Sequence, residues 1–188
     1  MKKFSRKFRS ISSEDNLKNF IQESSAHVTQ TTLYGYIKTR IGSRYAIMFE
    51  DSTFVDSINI AKWNIYMSAL SDCTLYTYSF LIDQKNFKEN NAELVFNSII
   101  EKEKENGLEL KLFQESKLNF NQKIKKINFN KFYQEDPFKD SCNALYKWAP
   151  IAEELKILDK EIVLNSMKLK WNLIENEFKD LTKNLKSI

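Results

Sequence analysis

The chain has one histidine, His27, which limits the catalytic chemistry open to it. Ser24 lies three residues earlier, on the same side of a helix, and Cys73 is the other candidate nucleophile that His27 could serve as base. Amides inside a helix are already bonded and form no oxyanion hole, and the chain has no Gly-x-Ser-x-Gly motif. The sequence therefore offers only weak catalytic candidates and favours a non-enzymatic protein.

The arginines mark a segment that differs from the rest of the chain. There are 25 lysines but only four arginines, and two of these, Arg40 and Arg44, lie four residues apart beside two of the three glycines. Arginine in a lysine-rich chain indicates planar, bidentate pairing with a carboxylate or a phosphate.

Two interpretations of this segment stay open. The first is a buried arginine–carboxylate network that pins the first helix–helix turn. Its available acids are Glu50, Asp51, Asp56 and Asp72. The second is an anion pocket or docking surface. Its residues would be Tyr34, Tyr36, Lys38, Arg40, Arg44, Tyr45, Asn59 and Lys62.

Metal and nucleotide sites have little support in the composition. One histidine and two cysteines do not supply a zinc site or the paired Glu-x-x-His motifs of a di-iron bundle. Three scattered glycines do not form a phosphate-binding loop. We therefore expect neither a metal nor a cofactor.

The positive charge is concentrated at the start of the chain. Five basic residues precede the first acid, and the remainder is close to neutral: Lys2, Lys3, Arg6, Lys7 and Arg9. We expect residues 1–12 to form a flexible tail that is solvated or contacts anionic lipid or RNA. The cytoplasm, with peripheral contact at the inner membrane, is the expected location, and a presequence-like reading leaves the mitochondrial matrix as the alternative.

A second basic stretch, residues 117–131, offers another route to RNA. Its lysines alternate with aromatic side chains, a combination that can hold phosphates and stack bases. A solvated face over buried aromatics is the simpler interpretation, so RNA binding is the third hypothesis for function.

The pattern of apolar residues predicts an all-α fold for residues 13–188, which form a single domain. We expect an irregular bundle of four to six helices with long first, second and C-terminal helices. The first runs from Ser12 or Ser13 to Ile41, the second from Asp51 or Ser52 to about Ile82, and the last begins near Ile151.

Two segments leave local questions. Residues 108–124 begin with alternating leucines, which favours a small β-hairpin, while a helical pattern fits the same stretch. Residues 63–82 have the length of a membrane span, but six serine, threonine and asparagine residues dilute their hydropathy. We expect a buried central helix there and no transmembrane span.

Apolar residues at helical spacing mark a long last helix. Leu155, Leu158, Ile162, Leu169 and Leu173 recur at helical spacing, and Ile174 and Phe178 extend the pattern. A stripe that the fold does not cover must be covered by a partner. The leading hypothesis is therefore a helical binding or assembly module that engages a protein partner or a second copy of itself.

One part of the chain resembles a known family. Residues 32–45 (TLYGYIKTRIGSRY), 48–51 (MFED) and 57–62 (SINIAK) carry the resemblance, which covers about residues 12–80. The chain resembles an uncharacterised alphaproteobacterial family of similar length whose members often carry the automatic label "esterase". The resemblance implies a bacterial, non-secreted protein and makes an esterase-like hydrolase that uses His27 the alternative function; it supplies no catalytic residues.

Overall fold

The computed structural model describes residues 10–87 and 90–185, which form an all-α bundle without strands. The helices are α1 Glu14–Ile41, α2 Tyr45–Met48, α3 Ser52–Lys85, α4 Ala92–Glu103, α5 Leu110–Ile124, α6 Lys139–Trp148 and α7 Glu153–Leu181. Short 3-10 turns occupy Gly42–Arg44 and Phe132–Gln134. The prediction of an all-α bundle with long first, second and last helices is confirmed.

Local side-chain chemistry sets the ends of the first two long helices. The Ser13 hydroxyl accepts a hydrogen bond from the Asn16 amide at the start of α1, and the Asp51 carboxylate accepts bonds from the amides of Thr53 and Phe54 at the start of α3. α1 ends at Gly42, whose φ of 59° suits a residue without a side chain. These caps place the turn between α1 and α3 within two residues of its predicted position.

α3 is the centre of the bundle and packs against α1, α4, α5 and α6. From Ile65 to Leu81 all but two of its side chains are buried. Its buried serine and threonine hydroxyls donate to main-chain carbonyls, as Thr74 does to Leu70 (2.7 Å) and Ser79 to Phe129 (2.6 Å). In the described ranges, no helix has the continuous apolar length that crossing a bilayer requires.

The segment near 108–124 is helical, so the hairpin alternative is wrong. Phe113 and Phe120 lie seven residues apart on one buried face of α5, and the Phe120 ring stacks on Phe96 of α4 with 3.9 Å between ring centroids. The alternating leucines are too few to dictate a strand: Leu108 is buried in the loop before α5, whereas Leu110 is exposed. Packing of the phenylalanine face decides the conformation.

α1 and α7 lie antiparallel along most of their lengths. The Ile11 amide donates to the Leu181 carbonyl (3.2 Å), and the Phe20 and Phe178 rings lie 5.1 Å apart. Ile11 is 2% exposed, so the packed domain reaches into the segment predicted as a tail. The five basic residues of that tail lie outside the described residues.

A buried carboxylate on α3 caps α6 from a distance. Asp72 is fully buried and accepts hydrogen bonds from Lys123 Nζ (2.6 Å) and from the Ser141 amide (2.8 Å). That amide lies in the first turn of α6, where the local cap residue Phe138 contributes no side-chain hydrogen bond. Lys123 also binds Asp140 at 2.6 Å, so one ammonium links α3, α5 and α6.

Burial and the contacts between Asp72, Lys123 and Asp140 shift the pKa values of Asp72 and Lys123. Burial raises the pKa of Asp72 to about 6, against the opposing effects of Lys123 and the Ser141 amide. Although burial acts in the opposite direction, Asp72 and Asp140 raise the pKa of Lys123. Lys123 therefore stays charged across the neutral range, and Asp72 is the group that titrates.

α6 in turn fixes the last helix. The Trp171 indole of α7 donates to the Ser141 hydroxyl (3.1 Å), and its ring stacks on Phe138 with 4.2 Å between centroids. Trp171 is fully buried, so these contacts determine which face of α7 points inward.

The raised pKa of Asp72 predicts a specific dependence of stability on pH. Between its unfolded value of 3.8 and about 6 the folded protein binds the extra proton, so stability from this group is present at low pH and is lost as the pH rises through 6. Asp72→Asn removes that titration and keeps an acceptor for Ser141. We expect the stability of the wild type relative to Asp72→Asn to fall by about 2–3 kcal/mol between pH 4 and pH 7. Urea unfolding of both proteins at each pH measures the difference, and a constant difference would contradict the assignment.

Candidate functional site

α7 has apolar residues on two faces, and only one of them is covered. The inner face packs on the bundle through Val163, Met167, Trp171, Ile174 and Phe178. The outer face leaves four large aliphatic side chains mostly in solvent: Leu158 (76% exposed), Ile162 (70%), Leu169 (65%) and Leu173 (63%). Isolated exposed leucines are common on monomers, whereas a continuous row of this kind marks an interaction site.

The four residues form a regular row, which Leu155 extends at its beginning with 38% exposure. We call these five residues the α7 stripe. Leu158 and Ile162 are four residues apart, as are Leu169 and Leu173, and seven residues separate the two pairs. These intervals keep all four on one side of the helix and make their spacing symmetric about the point between Asn165 and Ser166.

Two charged residues flank the centre of the stripe. Glu161 and Lys168 are both exposed and lie seven residues apart, which places them on the same flank of α7. Lys168 holds Asp136 at 3.2 Å, with both side chains about half exposed. One flank of the stripe thus carries an acid before its centre and a base after it.

An ion pair between α1 and α7 fixes the orientation of the stripe near Leu158, at the N-terminal part of α7. Arg40 pairs with Asp159, whose side chain is only 3% exposed, and the Tyr36 hydroxyl donates to the same carboxylate at 2.9 Å. Asp159 lies on the inner side of α7, twelve residues before Trp171. The buried contacts of these two residues fix the rotation of α7 about its own axis. The exposure of the stripe follows from these buried contacts.

The carboxylate that pairs with Arg40 is Asp159, which is not among the four acids predicted from the sequence. Asp159 lies 119 residues further along the chain, and its spacing gave no signal that it would meet α1. Of the predicted acids, Asp51 caps α3 and Asp72 caps α6. Glu50 and Asp56 are exposed.

The residues predicted for an anion pocket lie in separate places. Tyr36 and Arg40 are on Asp159, while Lys38 and Arg44 are exposed. Tyr34 and Tyr45 pack around Phe49, with ring centroids 6.4 and 5.0 Å away.

The remaining two predicted pocket residues lie on α3. Lys62 donates to Asn59 at 3.4 Å, and its ammonium lies 5.0 Å from the centre of the Trp63 ring. The predicted residues are thus spread over the α1–α7 contact, the α1–α3 turn and the surface of α3.

The predicted catalytic residues lie at different depths. His27 is exposed on α1, in a cleft of about 580 Å³ that Glu23, Leu173 and Glu177 also line. Ser24 and Cys73 are fully buried. The cleft beside His27 adjoins the α7 stripe through Leu173.

The described residues contain no group of three or more histidine, cysteine, aspartate and glutamate side chains arranged to hold a metal ion. No protein-family model, curated protein or solved structure matches this chain. The family resemblance and the hydrolase hypothesis stay predictions.

The ion pair that orients α7 can be tested by removing its cation. Arg40→Gln leaves the buried Asp159 carboxylate without a counter-charge. Because the Arg40 side chain is itself 33% exposed, we expect a loss of about 1–2 kcal/mol, less than for a fully buried pair. Arg44→Gln is the matched control, because Arg44 lies four residues away, is also exposed and takes part in none of the ion pairs among the described residues. It should change stability by less than about 0.5 kcal/mol. Equilibrium unfolding in urea measures both; equal effects would show that the pair does not anchor α7.

Asp159→Asn provides a second check on the same ion pair. In the Arg40→Gln background it removes the uncompensated charge, so the double variant should recover part of the lost stability. A double variant less stable than Arg40→Gln alone would contradict this account.

Proposed function

We propose that this protein is a non-enzymatic helical assembly module that pairs with a second copy of itself through the α7 stripe. The observation that carries the proposal is the row of four aliphatic side chains, each more than 60% exposed, on a helix whose inner apolar residues are already buried in the bundle. Transferring a single such side chain out of water contributes about 1.5–3 kcal/mol, so the row is a costly surface to leave in solvent.

The spacing of the stripe supports an antiparallel arrangement. A two-fold axis at the midpoint between Asn165 and Ser166 sets Leu158 against Leu173 of the second copy, and Ile162 against Leu169. Each aliphatic side chain then meets another, and the same patch serves both copies, as a two-fold interface requires. In a parallel pair the two-fold axis runs along the helices and each stripe residue meets its own counterpart, so only the antiparallel arrangement requires the symmetric spacing.

The polar residues around the stripe support the same arrangement. Asn165 is exposed at the proposed axis, where a single polar residue in an apolar seam favours one register over its neighbours. On the flank, residues of one helix face the same flank of the antiparallel partner. Glu161 of each copy therefore comes near Lys168 of the other, which gives two opposite-charge contacts per pair.

Substitutions on the stripe test the proposal directly. Ile162→Glu places two carboxylates near the axis of an apolar interface, and we expect it to abolish self-association without unfolding the protein. Leu94→Glu is the control, because Leu94 is 67% exposed on α4, away from the stripe. Sedimentation velocity over a range of concentrations should show a monomer–dimer equilibrium for the wild type and for Leu94→Glu, and only monomer for Ile162→Glu.

A wild-type protein that stays monomeric at every concentration would refute self-association. If the stripe instead holds a different protein, the monomer would still bind that partner and Ile162→Glu would release it, an outcome that also counts against a second copy as the occupant.

Charge reversal tests the antiparallel arrangement separately. Glu161→Lys and Lys168→Glu each place like charges together across the interface, and each should raise the dissociation constant about threefold to tenfold. The double variant restores the opposite-charge contacts and should return the dissociation constant towards the wild-type value. Lys168→Glu also removes the ion pair between Lys168 and Asp136 within one copy. Thermal unfolding of each variant measures how much this loss changes the stability of the folded chain. Additive weakening in the double variant would exclude this arrangement.

A further inference from the structure

A buried carboxylate on α4 has no cation beside it among residues 10–87 and 90–185. Glu103 is 5% exposed and accepts hydrogen bonds from Gln22 Nε2 (2.8 Å), the Tyr66 hydroxyl (2.7 Å) and Asn106 Nδ2 (2.9 Å). All three donors are neutral, and among the described residues no lysine, arginine or histidine lies within 4.0 Å of the carboxylate. The other two buried acids, Asp72 and Asp159, are each paired with a cation.

The position of Glu103 on its helix increases the need for positive charge. It is the last residue of α4, where the unpaired carbonyls give the helix end a partial negative charge. Burial, together with the hydrogen bond to Glu103 and its charge, raises the pKa of Tyr66, so the phenol stays a neutral donor. A buried charge is normally paired, and here nothing on the described chain supplies the pairing.

A cavity of about 200 Å³ adjoins this carboxylate, between α1, α3 and α4. Its wall includes the side chains of Trp63, Tyr66 and Thr29. Thr29 is 1% exposed, and its hydroxyl oxygen is buried without a hydrogen-bond partner. The cavity wall therefore combines a carboxylate whose hydrogen-bond donors are all neutral, two aromatic rings and a threonine whose buried hydroxyl oxygen has no partner.

We propose that this cavity, the Glu103 pocket, binds a small organic compound with a primary ammonium group. The ammonium would donate to the Glu103 carboxylate and to the Thr29 hydroxyl oxygen, and the aromatic rings favour a cation beside them. The volume admits a compound of a few non-hydrogen atoms.

The rim of the pocket distinguishes two classes of such compounds. Lys62 lines the cavity and its ammonium lies 5.0 Å from the Trp63 ring centre. A free amino acid could place its carboxylate on Lys62 while its ammonium reaches Glu103, whereas a simple amine would make only the inner contact. The Glu103 pocket contains no residue of α7, so this inference is independent of the proposed dimer.

Thermal unfolding of the full chain with methylammonium chloride, glycine or potassium chloride at matched ionic strength tests the pocket. Methylammonium should raise the melting temperature in a saturable way that potassium chloride does not reproduce. Glu103→Gln keeps an acceptor of the same shape but removes the charge, and we expect it to weaken binding by at least about tenfold. Glu101→Gln, an exposed change two residues away on α4, should bind like the wild type.

Two further readouts locate the ligand and identify its class. Thr29→Val should weaken methylammonium binding severalfold, and the indole N–H resonance of Trp63 should shift on titration. A larger effect of glycine, reduced by Lys62→Gln, would support an amino acid as the ligand; equal effects of both compounds would support a simple amine. The proposal is overturned if no ammonium compound raises the melting temperature beyond potassium chloride, or if Glu103→Gln responds as the wild type does.

Discussion

The buried carboxylate of Asp72 is the constraint on which the arrangement of the bundle depends. It sits in the middle of the central helix, where an unpaired charge would be strongly unfavourable, and it satisfies that charge with an ammonium from α5 and an amide from α6. Ser141, whose amide it binds, also receives the Trp171 indole of α7 through its hydroxyl. One carboxylate thus organises four helices, and the face that α7 turns inward follows from its position.

The outward face of α7 is a consequence of the same contacts. With Trp171 bound at Ser141 and Asp159 bound by Arg40, the helix has no freedom to rotate its leucines into the core. The core is already full, since the inner residues of α7 are buried against aromatic rings of α1, α3 and α6. Two buried polar contacts, Trp171–Ser141 and Asp159–Arg40, therefore keep an apolar row of side chains in solvent. Self-association through that row would explain this arrangement. The uncompensated Glu103 charge lies elsewhere and supports a separate role.

Periodicity and capping residues were sufficient to predict the helices. The apolar residues beyond Trp63 identified the central helix. Capping is local chemistry, so the boundaries were placed at Ser12 or Ser13, at Gly42 and at Asp51 or Ser52, and the structure selects Ser13 and Asp51 as the caps. The alternating leucines near residue 108 left a hairpin open beside a helix, and the buried phenylalanine face of α5 decides for the helix. Pairing over long distances could not be predicted. Arg40 was identified as needing a carboxylate, but its partner is 119 residues away, and sequence spacing carries no information about such contacts. For the same reason the apolar spacing of the last helix was visible, whereas its division into a buried face and an exposed row was not.

A distance measurement between two copies tests the central claim most directly. Spin labels attached at Asn165→Cys lie next to the proposed axis, and the native cysteines Cys73 and Cys142 are buried. In the antiparallel dimer these labels should be on the order of 10 Å apart, the spacing of packed helices. Labels at Asn176→Cys should be separated by roughly 30 Å, from 1.5 Å of rise per residue along the two helices. Short distances at both positions would mean a parallel pair, and the absence of any coupling between copies at either position would contradict self-association through α7.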